Sequence, residues 1–199
     1  MLFIKENKMP PKEKLTQEEI AAAAFALLRR EGLEGINARA LAKELNCSTM
    51  PLFRHFERME QIRIAAVKRA ESVYKSYIEQ GMKDYTPAFK GAGLAYIRFA
   101  KEEPQLFRLF FMTPIGTIAG ISPVDPTREV VIHAAQNSAG TSFTGAEQLL
   151  MEMWLFVHGI ATSLVTGTAD FSEETISQMM SDVFMGLKQQ YGKKGEGES

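Results

Sequence analysis

Residues 37–56 read Asn37-Ala-Arg-Ala-Leu-Ala-Lys-Glu-Leu-Asn-Cys-Ser-Thr-Met-Pro-Leu-Phe-Arg-His-Phe56, a pattern that predicts two short helices joined by a tight turn. Asn37 is a natural N-cap for the first helix, which runs to Leu45. Asn46 fits a left-handed turn, a conformation that Asn tolerates better than most residues. Ser48 is expected to cap the second helix, with Pro51 in its first turn, where a missing N–H costs least. Ala40 and Ala42 allow close helix approach, and Leu41, Leu45, Cys47, Leu52 and Phe56 supply a buried face. The other face of the second helix shows Thr49, Met50, Phe53, Arg54 and His55. Two helices so joined form a helix-turn-helix unit. A methyl-bearing hydroxyl, a thioether and a guanidinium on its second helix can reach base edges or phosphates in a major groove.

Helical signals continue on both sides. Thr16-x-x-Glu19 is a capping box, followed by an alanine-rich helix from Ile20 to Arg30 that closes at Gly32. A long helix is expected from Met59, with Ile62, Ala66, Val73 and Tyr77 on one stripe and Gly81 marking its end. Thr86-Pro87 opens a helix towards Glu103, which Pro104 interrupts; a short helix then carries Leu106, Phe107, Leu109, Phe110 and Phe111. Three prolines and two glycines make 113–126 a loop. Further helices are expected over 127–136, from the second capping box Thr144-x-x-Glu147 to Val165, and from the Ser172 cap to Tyr191. The fold is therefore all-α, with about nine helices. Residues 1–14 read as a flexible basic arm, 15–58 as a helix-turn-helix domain, 59–191 as a second helical domain, and 192–199 as a mobile tail.

Composition excludes several classes of function. A net charge of −1 argues against a general polyanion binder but leaves room for a local basic face. Cys47 stands alone, so disulfides within the chain are excluded and a reducing, cytoplasmic setting is the plain reading. Only three apolar residues follow Met1 before charge intervenes, too few for a signal-peptide core. The charge-free stretches 130–146 and 153–169 are diluted by polar residues and too short to span a bilayer, so no membrane partner is expected. Neither a nucleophile–base motif nor a glycine-rich phosphate loop is present. No metal-ligand spacing appears, and His55 has no second ligand on its face. The reading is thus of a non-enzyme with no cofactor and no metal.

The segment from Leu15 to about Ile64 resembles the DNA-binding domain of the TetR family of transcriptional regulators. The matching residues are 37–56, set against a pattern Thr-x-x-x-(Ile/Leu)-Ala-x-x-(Leu/Ala)-Gly-Val-Ser-x-x-x-(Leu/Ile)-Tyr-x-(His/Tyr)-Phe followed by Lys. Phe53 stands where that pattern has Tyr, and Met59 where it has Lys. Further on, residues 99–110 and Trp154-Leu-Phe-Val-His158-Gly159 resemble the C-terminal domain class named for its Trp-x-x-x-His-Gly signature. Together the two resemblances cover most of the chain.

The resemblance implies a ligand-responsive regulator, a repressor released from a palindromic double-stranded DNA operator by a small, largely apolar effector. DNA-contacting residues would be Arg39, Ser48, Thr49, Met50, Phe53, Arg54, His55 and Arg58. An effector cavity would be enclosed by Phe99, Phe107, Phe110, Phe111, Met151, Trp154 and His158. For His158 two roles stay open, a ligand contact or a core histidine satisfied by a neighbouring helix. Ile176, Met179, Met180, Val183, Phe184 and Leu187 form an apolar stripe on the last helix, wide enough to pair with a second copy in a homodimer. Phe53 and Met59 keep an alternative open: a small-molecule-binding or interaction protein whose helix-turn-helix has weakened DNA affinity.

Overall fold

The computed structural model describes residues 15–114 and 125–192. The expected arm at 1–14, most of the 113–126 loop and the tail beyond Gly192 lie outside the described residues. Nine α-helices and no strand occur among the described residues. Helix α1 (Gln17–Glu31) opens on the expected capping box: Thr16 Oγ1 accepts from Glu19 N at 3.2 Å, and the Glu19 carboxylate accepts from Thr16 N at 2.7 Å. A 3-10 turn, Leu33–Gly35, follows the Gly32 cap. Asn37 caps α2 (Ala38–Glu44) by accepting from Ala40 N at 3.0 Å, and Asn46 takes a φ of 47° in the turn.

Helix α3 (Leu52–His55) is shorter than expected. It is a single turn, with Pro51 rather than Ser48 in the cap position and no side-chain cap. The residue before a proline is pushed away from helical backbone, which stops the helix from extending back through Met50. Thr49 O accepts from Leu52 N at 3.2 Å instead. With so little helix to cover the turn, Leu45 and Cys47 are half-buried, whereas Leu41, Leu52 and Phe56 are buried as expected.

Helix α4 (Met59–Asp84) runs for 26 residues, about 39 Å. It passes straight through Gly81, which was expected to end it. Gly81 is there for packing: α5 (Ala88–Glu102) crosses so closely that a Cβ on Gly81 would lie 2.5 Å from Gly91 O. Pro87, not Thr86, takes the cap position of α5, and α6 (Pro104–Phe111) begins at Pro104 as expected. At the α5–α6 junction the buried Glu103 carboxylate accepts two N–H groups of Arg29 on α1, one of them from Nε at 2.8 Å. This pair ties the N-terminal helices to the rest of the chain.

The remaining helices are α7 (Arg128–Ala139), α8 (Phe143–Thr166) and α9 (Glu173–Gly192). Ser142 rather than Thr144 caps α8, accepting from Gly145 N at 3.2 Å, so Thr144 falls inside the first turn. Ser172 caps α9 as expected, accepting from Thr175 N at 3.1 Å. By length and composition α8 is apolar enough to cross a membrane. Here it packs against α5, α7 and α9. Two hydrophobic clusters form the core. The larger runs from Ile20, Leu41 and Leu52 through Tyr74, Phe99 and Phe107 to Ile176 and Met180. The smaller gathers Phe89, Ile132, Leu149, Met153 and Tyr191.

Candidate functional site

The helix-turn-helix presents an unusual surface. Met50 is 67% exposed and Phe53 44%, although both are large apolar side chains. Arg39, Ser48, Thr49, Arg54, His55 and Arg58 are exposed beside them. Charge is distributed to match. Arg30 pairs with Glu31 and Glu44, Arg69 pairs with Glu18, and Arg63 donates to Ile36 O at 3.1 and 3.2 Å. Among the described residues, Arg39, Lys43, Arg54 and Arg58 form no ion pair, so their charge is available to an external polyanion. Lys43 escapes the sequence reading because its position on α2 looks like any solvated helix face.

A cavity of about 720 Å³ lies between the two hydrophobic clusters. Its walls come from α4 (Tyr74, Ile78), α5 (Phe89, Lys90, Tyr96), α7 (Arg128, Val131), α8 (Leu150, Met151, Met153, Trp154, Val157) and α9 (Met180, Ser181, Phe184, Met185, Lys188). Of the residues expected to enclose it, Met151 and Trp154 line it. The other five stand behind the wall. Phe99 and Phe107 are fully buried in the core. Phe110 and Phe111 pack against the Tyr74 ring, with centroids 6.3 and 5.4 Å away. Phe107 and Phe111 also hold Tyr96 at 5.6 and 5.0 Å. These aromatics set the shape of the pocket by positioning Tyr74 and Tyr96, which are themselves on the wall.

His158 is the fifth. It stacks on Trp154 with centroids 4.9 Å apart and 17° between the planes, and its Nδ1 lies 2.9 Å from the Tyr96 hydroxyl. It thus supports two wall residues without lining the cavity. Burial pushes its pKa down, favouring the neutral ring that accepts the Tyr96 proton at Nδ1. Burial also pushes the Tyr96 phenol well above its ordinary value, so it stays a donor at every accessible pH. The unfolded chain then binds the His158 proton more readily than the folded one, and folding stability rises with pH across that window. Stability attributable to His158 should be complete above the ordinary histidine value of about 6.5 and decline as pH falls below it. Thermal melts between pH 5 and 8 test this (a range set by that value). The slope should flatten in His158→Gln, and an unchanged slope would count against the neutral ring.

Polar groups on the wall are mostly paired. Arg128 Nη2 donates to Glu147 Oε1 at 2.9 Å. Asp125 accepts from Tyr74 Oη at 2.7 Å, Thr127 N at 2.7 Å and Thr127 Oγ1 at 2.6 Å. Lys90 Nζ donates to Ser181 Oγ at 3.1 Å, and Lys188 Nζ to Ser138 O at 3.1 Å. None of these residues is expected on the wall from the sequence (Glu147 reads there only as part of a capping box), because a polar side chain is legible as a pocket group only once the helices are placed. No cluster of three potential metal ligands occurs among the described residues.

The stripe on α9 faces mostly inward. Ile176 and Met180 are buried against their own chain, and Met179 packs partly buried on the larger cluster. Val183, Phe184 and Leu187 pack on the smaller cluster, and Phe184 lines the cavity with its ring 5.8 Å from that of Phe89. The width of the stripe reflects this double duty of core and cavity wall. Exposed apolar side chains are found elsewhere: Met151 (59%) and Leu155 (56%), four residues apart on α8, and Met185 (62%) on α9.

Residues 89–183 match the family described as tetracyclin repressor-like, C-terminal domain. An uncharacterized HTH-type transcriptional regulator of Mycobacterium tuberculosis, Rv0681, is 27% identical over 164 residues, spanning 79% of this chain and 73% of that protein. In fold, the chain resembles the crystal structure of a TetR variant from Acinetobacter baumannii AYE in complex with minocycline, with a TM-score of 0.52 at 17% identity over 92% of this chain and 99% of that one.

Proposed function

We propose that the chain is a ligand-responsive transcriptional regulator of the TetR family, a reading supported by the family match over 89–183 and by the relatives above, and that it is a dimeric repressor released from a palindromic operator by a small effector in the 720 Å³ cavity. The reading rests chiefly on one observation. Arg39, Lys43, Arg54 and Arg58, none of them in an ion pair among the described residues, lie together on the helix-turn-helix beside the exposed Met50 and Phe53, whereas each arginine of α1 and α4 is paired or bonded. Residues 15–58 act as the reading head and 59–191 as the effector and dimer module, in a cytoplasmic protein. In the head, Thr49, Met50, Phe53 and Arg54 face base edges, whereas Arg39, Lys43, Ser48, His55 and Arg58 hold phosphates.

The fold neighbour bound to minocycline supports assigning the cavity to an effector. Coupling requires that the effector bind the DNA-competent and DNA-released states with different affinity. Two connections carry the difference between cavity and head: α4, which supplies Tyr74 and Ile78 to the wall, and the Arg29–Glu103 pair.

Fluorescence anisotropy with the chain's own upstream DNA tests the reading head. Arg54→Ala should weaken specific binding by about 1–3 kcal/mol, and Lys43→Ala should weaken binding to all sequences and lower the salt slope by about one. Full affinity in both variants would overturn the assignment. Phe53 and Met59 favour the second reading, a ligand-binding protein with a weakened head, because a phenol and a cation are missing where the family pattern has them. A shallow salt dependence without a sequence-specific plateau would select it.

A further inference from the structure

Five ionisable charges reach the cavity wall, and three are already matched. Arg128 and Glu147 pair with each other, and the Asp125 carboxylate accepts three hydrogen bonds from Tyr74 and Thr127. Lys90 and Lys188 remain. Each half-buried ammonium has one bond to a neutral acceptor, and among the described residues neither has a carboxylate within ion-pair distance. An ammonium has three N–H groups to satisfy, and removing it from water without an anionic partner is costly.

The two lysines lie along one line. Ser181, Phe184 and Lys188 are spaced three and four residues apart, so they share a face of α9, and all three are on the cavity wall. Lys90 reaches that face from α5 through Ser181, and Lys188 stands two turns further on, about 10 Å along the axis. Phe184 lies between them. On the α8 part of the wall, Leu150, Met153, Trp154 and Val157 are apolar.

We propose that the cavity takes an amphipathic organic anion, its apolar body against the α8 wall and its carboxylate on the α9 side, bound by one of the two ammonium groups, Lys90 or Lys188, while the other adds positive potential to the same wall. The proposal rests on the effector reading above and gives that effector a chemical class. A cationic ligand would meet two uncompensated ammonium groups and find both carboxylates occupied. A neutral apolar ligand would strip water from the lysines and return no charge to them.

Trp154 is the chain's single tryptophan and lines the cavity, so its fluorescence reports occupancy. Dodecanoate, dodecan-1-ol and dodecyltrimethylammonium, titrated below micellar concentration, share a tail and differ in head group. The carboxylate should bind about tenfold or more tighter than the alcohol, as a charge-assisted bond predicts, and the ammonium weakest. In the double variant Lys90→Met, Lys188→Met the carboxylate should lose that advantage while the alcohol keeps its affinity, which also reports an intact pocket. Equal binding of acid and alcohol, first place for the ammonium, or no response to any of the three overturns the anion site. The head-group order in the wild-type chain decides the matter even if the double variant does not fold. Operator affinity in the same titrations separates the two claims: carboxylate preference with DNA binding unchanged at saturation would leave the anion site standing and sink the effector reading.

Discussion

Leu155→Glu combined with Met185→Glu should yield a folded monomer that has lost almost all operator affinity. Both side chains are more than half exposed and contribute little to the core of their own subunit, so helicity and melting cooperativity should survive. With Met151 they leave large apolar side chains in water on α8 and α9, the kind of surface that marks an association site. A twofold partner seated there would cover Met151 and Met185, which also line the cavity, and would bring two reading heads to one operator. Four glutamates facing one another across that axis would be both desolvated and mutually repelled. Losing the second head removes the advantage of two-point attachment, on the order of 10²–10⁴ in affinity. Sedimentation and gel shift on one preparation settle the point. A double variant that remains dimeric places the interface elsewhere, and a monomer with undiminished affinity separates dimerisation from DNA binding.

What could be read from the residues was mostly local. The Thr16 capping box, the Asn37 and Ser172 caps and the left-handed Asn46 follow from side-chain chemistry within three or four positions, and each is where its spacing puts it. Local rules failed where two of them competed. Ser48 is a good cap, but Pro51 forbids the helical turn it would cap; Thr144 heads a capping box, but Ser142 stands two residues earlier in extended backbone and closes the helix first. Burial was harder still. Phe99 and Phe107 have the apolar character of pocket residues, and nothing in their chemistry tells a wall from the layer behind it. Tyr74 and Tyr96 form the wall because the phenylalanines hold them there, a relation among α4, α5 and α6 that helical periodicity cannot express. The α9 stripe hides a similar relation: Ile176 and Met180 are buried in their own chain and Phe184 lines the cavity, a duty that the width of the stripe does not reveal.

Gly81 shows how far a local rule can mislead, and it leads to the second large effect. A glycine near the end of an amphipathic run suggests a stop, but here it permits contact. Helices α4 and α5 meet backbone to backbone at Gly81 and Gly91, where a Cβ on Gly91 would stand 2.0 Å from Gly81 O and 3.0 Å from Tyr85 Cβ. A carbonyl on a helix cannot swing aside as a flexible side chain would, so Gly91→Ala must push the helices apart. Overpacking of this kind costs about 1–3 kcal/mol and sometimes more, and a backbone clash belongs at the upper end. For a chain of this size that lowers the melting temperature by roughly 10 °C. Gly186→Ala is the control: its added Cβ would meet nothing within 4 Å, so it should gain about 0.5–1 kcal/mol from helix propensity alone. The crossing also sits on the helix that begins at the reading head and supplies Tyr74 and Ile78 to the cavity. Gly91→Ala should therefore weaken operator binding even at temperatures where the variant is fully folded, a loss that general destabilisation cannot produce. Should the variant melt like the parent, the helices have room to spare at that point. Should it melt early yet bind DNA with full affinity when folded, the crossing is a packing contact and not a fulcrum between cavity and head.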